Sequence, residues 1–208
     1  LQLLAGRDKN KWLPVLFHHD KPGISRLIDE ANKLGISSRV VPEITGDNAL
    51  QTIPKFFRIL KDVKPTIFHA HLNWPLGCRY GLGVAWLNRV PAIVATAHLY
   101  SPIKGVRLSI LKQYFQSVAI GRYIAVSNEV SERFCQSLSV PASKIKVVHN
   151  GIRLEPFNQP ADLSLRESLT EGQDCPIVFT PARLHSQKGH KHLLDAAAML
   201  PEAIFVLA

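Results

Sequence analysis

Short apolar runs rich in β-branched residues alternate along this chain with longer stretches whose apolar residues recur every three or four positions. The runs lie at 13–17, 38–41, 66–70, 92–97, 123–126 and 144–148, and the amphipathic stretches at 24–34, 50–63, 76–87, 107–119 and 129–138. Strands joined by helices of that length pair in parallel through right-handed crossovers. Ala92-Ile93-Val94-Ala95 is apolar on both faces, which fits a sheet covered on both sides. Pro65 and Pro91 stand just before two predicted strands, where a helix has to end, and Gly35 follows Leu34 as a helix C-cap. The pattern predicts an α/β fold, a Rossmann-like domain built on a parallel sheet.

The pattern changes after residue 157. Residues 158–174 hold Pro160, Gly172 and several acidic side chains, with no strand pattern and room for a short helix at 164–169. A new apolar run begins at Pro176, followed by a helical stretch at 189–200 and a buried-type strand at 203–208. The expected organisation is a domain over 1–157, a linker over 158–175, and the first β-α-β of a second Rossmann-like domain over 176–208. Residues 1–5 read as the tail of a helix, and the last strand has no helix after it. A parallel strand needs a crossover and a neighbour, so the chain is expected to be a piece of a longer protein, cut at both ends and lacking the first strand of its first domain.

Composition narrows the partners. The 208 residues are 46% hydrophobic with a formal net charge of +9. Residues 1–157 carry 21 Lys and Arg against 10 Asp and Glu, whereas 158–208 carry 4 against 6. The positive field of the first part suits an anionic membrane surface, a nucleic acid or a phosphorylated substrate. Two stretches combine cations with apolar residues, 55–61 and 104–115. Each fits a membrane-surface helix, and each also fits an ordinary core-facing helix with Lys and Arg outside. No aromatic RNP pattern or zinc finger supports nucleic acid. No apolar run approaches the roughly 20 residues of a bilayer span, and no signal peptide is visible. Three widely spaced cysteines without a CxxC argue against a zinc site or disulfide framework. They favour a reducing, cytoplasmic compartment.

The strongest candidate chemistry is Pro181-Ala182-Arg183-Leu184-His185-Ser186-Gln187-Lys188-Gly189, between a predicted strand and a predicted helix. A guanidinium fork, an ammonium and the free N–H groups of a helix start can together bind a diphosphate. The loop lacks a full Walker pattern, so two solvated surface cations are the competing reading. In the first domain, His98 directly follows the run 92–97, and Thr96-Ala97-His98-Leu99-Tyr100 offers a hydroxyl, an imidazole and a phenol at one strand end. Open α/β sheets bind ligands at the carboxyl ends of their strands. His69, His71, Ser127 and Asn150 stand at other predicted strand ends. Ser127 or Asn128 also suffices as a helix N-cap, and Asn150-Gly151 reads as a tight turn leaving the sheet. His69 and His71, two apart, share one strand face. No carboxylate stands at ligand spacing beside them and no HExxH occurs, so no metal is expected.

The ordered series Lys64-Pro65-Thr66-Ile67-Phe68-His69-Ala70-His71, Ala95-Thr96-Ala97-His98, Tyr123-Ile124-Ala125-Val126-Ser127, Lys146-Val147-Val148-His149-Asn150-Gly151-Ile152 and Ala182-Arg183-Leu184 with Lys188-Gly189 resembles the family 4, or group 1, retaining glycosyltransferases. The resemblance covers about residues 60 to 208. It implies the B-type glycosyltransferase fold, in which an acceptor-binding domain and a sugar-nucleotide-binding domain face a cleft. It implies transfer of a sugar from a nucleotide-diphosphate sugar to a carbohydrate or lipid-linked acceptor, with retention of configuration and no cofactor. Arg183, Lys188 and Gly189 would hold the donor diphosphate, and His98 would be the catalytic residue contacting the transferred sugar. His71 and Ser127 are cleft candidates, and Asn150 and Gly151 lie on the segment leading to the hinge. The family's usual Gly before the arginine is Ala182 here. Its glycine-rich loop would lie before Leu1 and its paired-glutamate motif after Ala208, so residues 1–208 alone are expected to be inactive. The cysteine usage and the basic first part together lead to the expectation of a cytoplasmic protein, with peripheral contact at the inner face of the membrane as an option. Rival readings are a sugar-nucleotide epimerase or phosphorylase on the same fold, and a non-catalytic basic binding module.

Overall fold

A computed structural model describes residues 2–102, 117–160 and 162–208, and the chain divides into two compact units, residues 1–152 and 153–208. In the first unit, α1 (Gln2–Ala5) leads to β1 (Val15–His18), α2 (Ser25–Lys33) and β2 (Ser37–Val40). Then come α3 (Ala49–Val63), β3 (Ile67–Leu72), α4 (Arg79–Leu87), β4 (Ala92–Ala97), β5 (Arg122–Ala125), α5 (Asn128–Leu138) and β6 (Ile145–Val147). The amphipathic stretch predicted at 107–119 lies mostly outside the described residues. Every ladder is parallel, as the alternation of runs predicts, but the strands form two sheets, β1-β2 and β3-β4-β5-β6. No ladder joins β1 to β3. Phe17 of β1 reaches the common core by packing instead, its ring meeting Phe56 of α3 edge-on at 5.9 Å.

Helix ends follow local backbone chemistry. Gly35, at φ +67, lets the chain leave α2 in the left-handed region, where a Cβ would be strained. Lys64 takes the same conformation after α3, just before Pro65. The helix predicted from residue 76 begins only at Arg79, because Cys78 at φ 55 interrupts the helical path. Strand β3 runs two residues further than its apolar run suggests and takes in His71 and Leu72.

The core of the first unit lies under one face of the larger sheet. Phe68, Ala70 and Leu72 of β3 stand beside Ile93, Ala95 and Ala97 of β4, and all six are buried. Tyr123 and Ala125 of β5 continue that face. Phe56 and Leu60 of α3, Leu82 of α4 and Phe134 of α5 belong to the same cluster, each fully buried Leu or Phe stabilising by about 1.5–3 kcal/mol. This decides between the two readings of the basic stretch 55–61. Phe56 and Leu60 are buried while Lys55, Arg58 and Lys61 are exposed, so α3 is a core-facing helix whose apolar stripe is already covered. The second basic stretch, 104–115, falls almost wholly outside the described residues.

The second unit is smaller and more open. Helix α6 (Leu163–Thr170) is capped by Asp162, whose carboxylate accepts from the Ser164 amide at 3.0 Å. Strands β7 (Ile177–Thr180) and β8 (Ile204–Leu207) pair in parallel, Ile177 opposite Ile204, across a connection that contains α7 (His190–Ala197). Phe179, Leu194 and Met199 are exposed.

Candidate active site

Strand register assembles a polar group that periodicity alone leaves scattered. Opposite the buried face of β3 and β4, the side chains are His69 and His71 of β3 with Val94 and Thr96 of β4, and His71 pairs with Thr96. The His98 amide donates to the Leu72 carbonyl at 3.0 Å, carrying the ladder one step beyond β4. His98 therefore follows Thr96 by two positions and lies on the histidine side. His69 Nε2 hydrogen-bonds Thr96 Oγ1 at 2.8 Å, and His71 Nδ1 hydrogen-bonds His98 Nε2 at 2.9 Å. The three rings stack in series, His69 on His71 at 4.6 Å between centroids and His71 on His98 at 5.2 Å.

Electrostatics keep this group uncharged at its centre. Partial desolvation of the His71 ring lowers its pKa to about 4, although the residue as a whole is exposed, and positive charge on His69 or His98 would lower it further. Burial also lowers His69, with His98 as the second cause. Among the described residues no group of three or more His, Cys, Asp or Glu is arranged to hold a metal ion.

In the second unit, the backbone of the Arg183–Lys188 loop is closely tied. The Ala182 amide donates to the Ala208 carbonyl at 2.9 Å, the Lys188 amide to His185 at 2.9 Å, and the Gly189 amide to Ser186 at 3.2 Å. His185 Nδ1 accepts from the Gln187 amide at 3.3 Å. Gly189, at φ +69, joins the single 3₁₀ turn Ser186–Lys188 to α7, a conformation that favours glycine. His190 Nε2 donates to the Arg183 carbonyl at 2.8 Å and closes the loop onto the helix. Since a carbonyl only accepts, His190 Nε2 carries a hydrogen, and the buried Nδ1 has no partner among the described residues. The Arg183 and Lys188 side chains are exposed.

The remaining sites predicted from sequence have plainer surroundings. Ser127 is the N-cap of α5: its Oγ accepts from the Val130 amide at 3.2 Å, which accounts for the residue structurally. Asn150 and Gly151 are exposed, past β6 and next to the boundary between the units at residues 152 and 153. A hollow of about 300 Å³ between the ends of α3 and α4, lined by Lys61, Lys64 and Arg89 among others, sits at the start of β3 and β4, away from the histidines. Another, of about 350 Å³, is lined by α6 and the residues after it. Neither contains a predicted site residue. Sequence reasoning missed two things, the direct contact of His71 with His98 and the part of His190. The signals were a second histidine in register with β4 and a histidine at the first position of a helix.

Comparison with known proteins gives these sites a context. The family model described as Glycosyltransferase Family 4 matches residues 20–156. The chain is 28% identical over 171 residues to the UDP-Gal:alpha-D-GlcNAc-diphosphoundecaprenol alpha-1,3-galactosyltransferase of Escherichia coli, a match covering 76% of this chain and 44% of that protein. The crystal structure of a glycosyltransferase from Rickettsia africae superposes with a TM-score of 0.71 at 19% identity, covering 95% of this chain and 52% of that one. The Anabaena protein HepE, crystallised with UDP-glucose, superposes with a TM-score of 0.65 at 18% identity, covering 93% and 59%. At such identities the structural likeness speaks for the fold, the Rossmann-like architecture of B-type glycosyltransferases. The chain spans under half the length of the curated relative and between half and two thirds of these structures.

Proposed function

The chain belongs to glycosyltransferase family 4, and from that membership we propose that the protein transfers a hexose from a nucleotide-diphosphate sugar to a lipid-diphosphate-linked saccharide, with retention of configuration. The observation that carries this reading is the family match over residues 20–156, which spans β3 with His71 and the end of β4 that His98 follows. The donor and acceptor classes follow the Escherichia coli relative, whose name states a UDP-galactose donor and a diphosphoundecaprenol-linked sugar. UDP-glucose in the HepE crystal is in keeping with that donor class. In the transfer, the acceptor hydroxyl attacks the anomeric carbon, the bond from that carbon to the diphosphate oxygen breaks, and the hydroxyl proton passes to the departing diphosphate. Charge grows on the diphosphate as the bond breaks. Arg183 and Lys188, two exposed cations on a fixed backbone, are suited to stabilise it. His98 contacts the sugar on the acceptor side. No metal or cofactor enters the scheme.

The basic first part of the chain suits a diphosphate-bearing lipid and an anionic membrane surface. Trp12 and Leu13 are exposed beside Lys9 and Lys11, a pairing of apolar and cationic groups fit for a lipid interface. None of the described helices is long and apolar enough to cross a membrane. The same reading puts the protein in the cytoplasm, peripheral at the inner membrane face.

The test uses the complete protein with UDP-hexoses and a synthetic lipid-diphosphate-linked sugar. The expected result is an extended saccharide whose new linkage keeps the donor's anomeric configuration by NMR. Epimerised sugar nucleotide formed without acceptor would overturn the reading in favour of an epimerase. Steeply salt-dependent binding to DNA without transfer would instead favour a basic binding module.

A further inference from the structure

We propose that His71 is a positioning residue for His98: its Nδ1 takes up His98 Nε2 at 2.9 Å and its stacked ring fixes the plane of the His98 imidazole, so that His98 presents Nδ1 to the substrate. The inference rests on the transferase reading above and assigns within it a role that family membership does not supply.

Three features of the geometry carry it. His98 leads out of β4 into the irregular segment that follows, where an isolated imidazole would rotate freely about its side-chain torsions. The hydrogen bond from its backbone N–H to the Leu72 carbonyl fixes the backbone, and His71 is the ring that fixes the side chain. Next, His71 is exposed, and its ring hydrogen-bonds another histidine rather than the backbone. A histidine kept merely to satisfy a buried group would resemble His69, which is half-buried and bonded to the buried Thr96 hydroxyl. The series also runs in one direction. Thr96 anchors His69, His69 stacks on His71, and His71 holds His98, so a core residue is connected by contacts to the ring at the strand end. The held-down pKa of His71 supports the arrangement, since a neutral imidazole offers one donor and one acceptor and keeps a single hydrogen between the two rings.

The experiment compares four variants of the complete protein. Asn places an amide where His71 Nδ1 lies, Gln places it near Nε2, and Phe keeps the ring without a hydrogen bond. His71→Phe and His71→Gln are expected to lower kcat about 10- to 100-fold, the scale for losing a partner that orients a working group, with both KM values within about twofold. His71→Asn is expected to recover most of the lost turnover. Imidazole ¹⁵N spectra should show His98 as one tautomer in the native protein and in His71→Asn, and as an average of two in His71→Phe. Native turnover in both His71→Phe and His71→Gln, or no difference between His71→Asn and His71→Gln, would overturn the inference. His98→Ala separates it from its premise. Unchanged turnover there removes the role of His98 itself, whereas impaired His98→Ala beside normal His71 variants removes only the role of His71. If His71→Phe does not fold, the turnover of the Asn and Gln pair still decides.

Discussion

The histidine face of β3 and β4 and the Arg183–Lys188 loop hold their working side chains by different means. On β3 and β4 the side chains hold one another, through two hydrogen bonds and two stacked contacts that start from a buried threonine. In the loop the backbone is fixed by hydrogen bonds on both sides of Arg183, while the cationic groups reach into solvent. In the proposed transfer, an imidazole that meets a sugar at one angle gains from being set before the substrate arrives. In the same proposal, two cations that receive a diphosphate gain from staying hydrated and separate until the anion displaces their water. Mutual side-chain contact ties one region to the stability of its unit, whereas side chains free of the fold leave the other region's stability untouched.

The largest expected effect tests the loop. In the complete protein, Arg183→Ala and Lys188→Ala should each lose about 2–4 kcal/mol of transition-state stabilisation, read from kcat/KM. Their melting curves should move by no more than about 0.5 kcal/mol, the ordinary range for surface substitutions. A large drop in stability would erase the contrast with the histidine face, and unchanged kcat/KM would remove both residues from the donor site.

A smaller effect is expected on the other side. Thr96→Val removes the partner of half-buried His69 while keeping the side chain's shape, and should destabilise the first unit by about 1–3 kcal/mol in urea unfolding. A neutral result would mean that the hydroxyl anchors nothing and that the ring series starts at His69.

The smallest effect concerns pH. His71 binds its proton near pH 6.5 when unfolded but near pH 4 when folded, and His69 is shifted in the same direction. The unfolded chain therefore takes up protons first as pH falls. The stabilisation is complete above about pH 6.5 and is lost on descending through 6.5 towards 4. Because His71 is exposed, solvent screening reduces the loss well below what the shift alone suggests. Urea midpoints measured from pH 7.5 to 4.5 should fall in the native protein and fall less in His71→Asn. Parallel profiles for the two proteins would show that His71 has no share in the effect.

Much of this architecture is legible in the pattern of residues alone. The apolar run at 92–97 coincides with β4, and Gly35 marks the end of α2 through the left-handed turn that glycine tolerates. The Arg183–Lys188 loop is legible as a strand-to-helix connection as well, because strand, cations, glycine and helix stand next to one another in sequence. The start of α4 is not, since nothing in the residue type forces Cys78 to φ 55. Whether α3 lies in the core or on a membrane cannot be read from its composition, because both readings share one periodicity. The position of Phe68 under Phe56, ring centroids 6.4 Å apart, decides it.

The amino-acid sequence by itself determined the parallel α/β class, the order of the elements, the family resemblance, and the placing of His69 and His71 on one strand face. These are properties of local period and of neighbouring residues. Only the tertiary structure decided that His71 meets His98. The two residues are 27 positions apart, and their contact depends on the register that sets His71 beside Thr96. A slip of one residue between β3 and β4 would turn one strand's side chains to the opposite face. Packing of the buried faces across both strands selects the register, and neither histidine encodes it by itself.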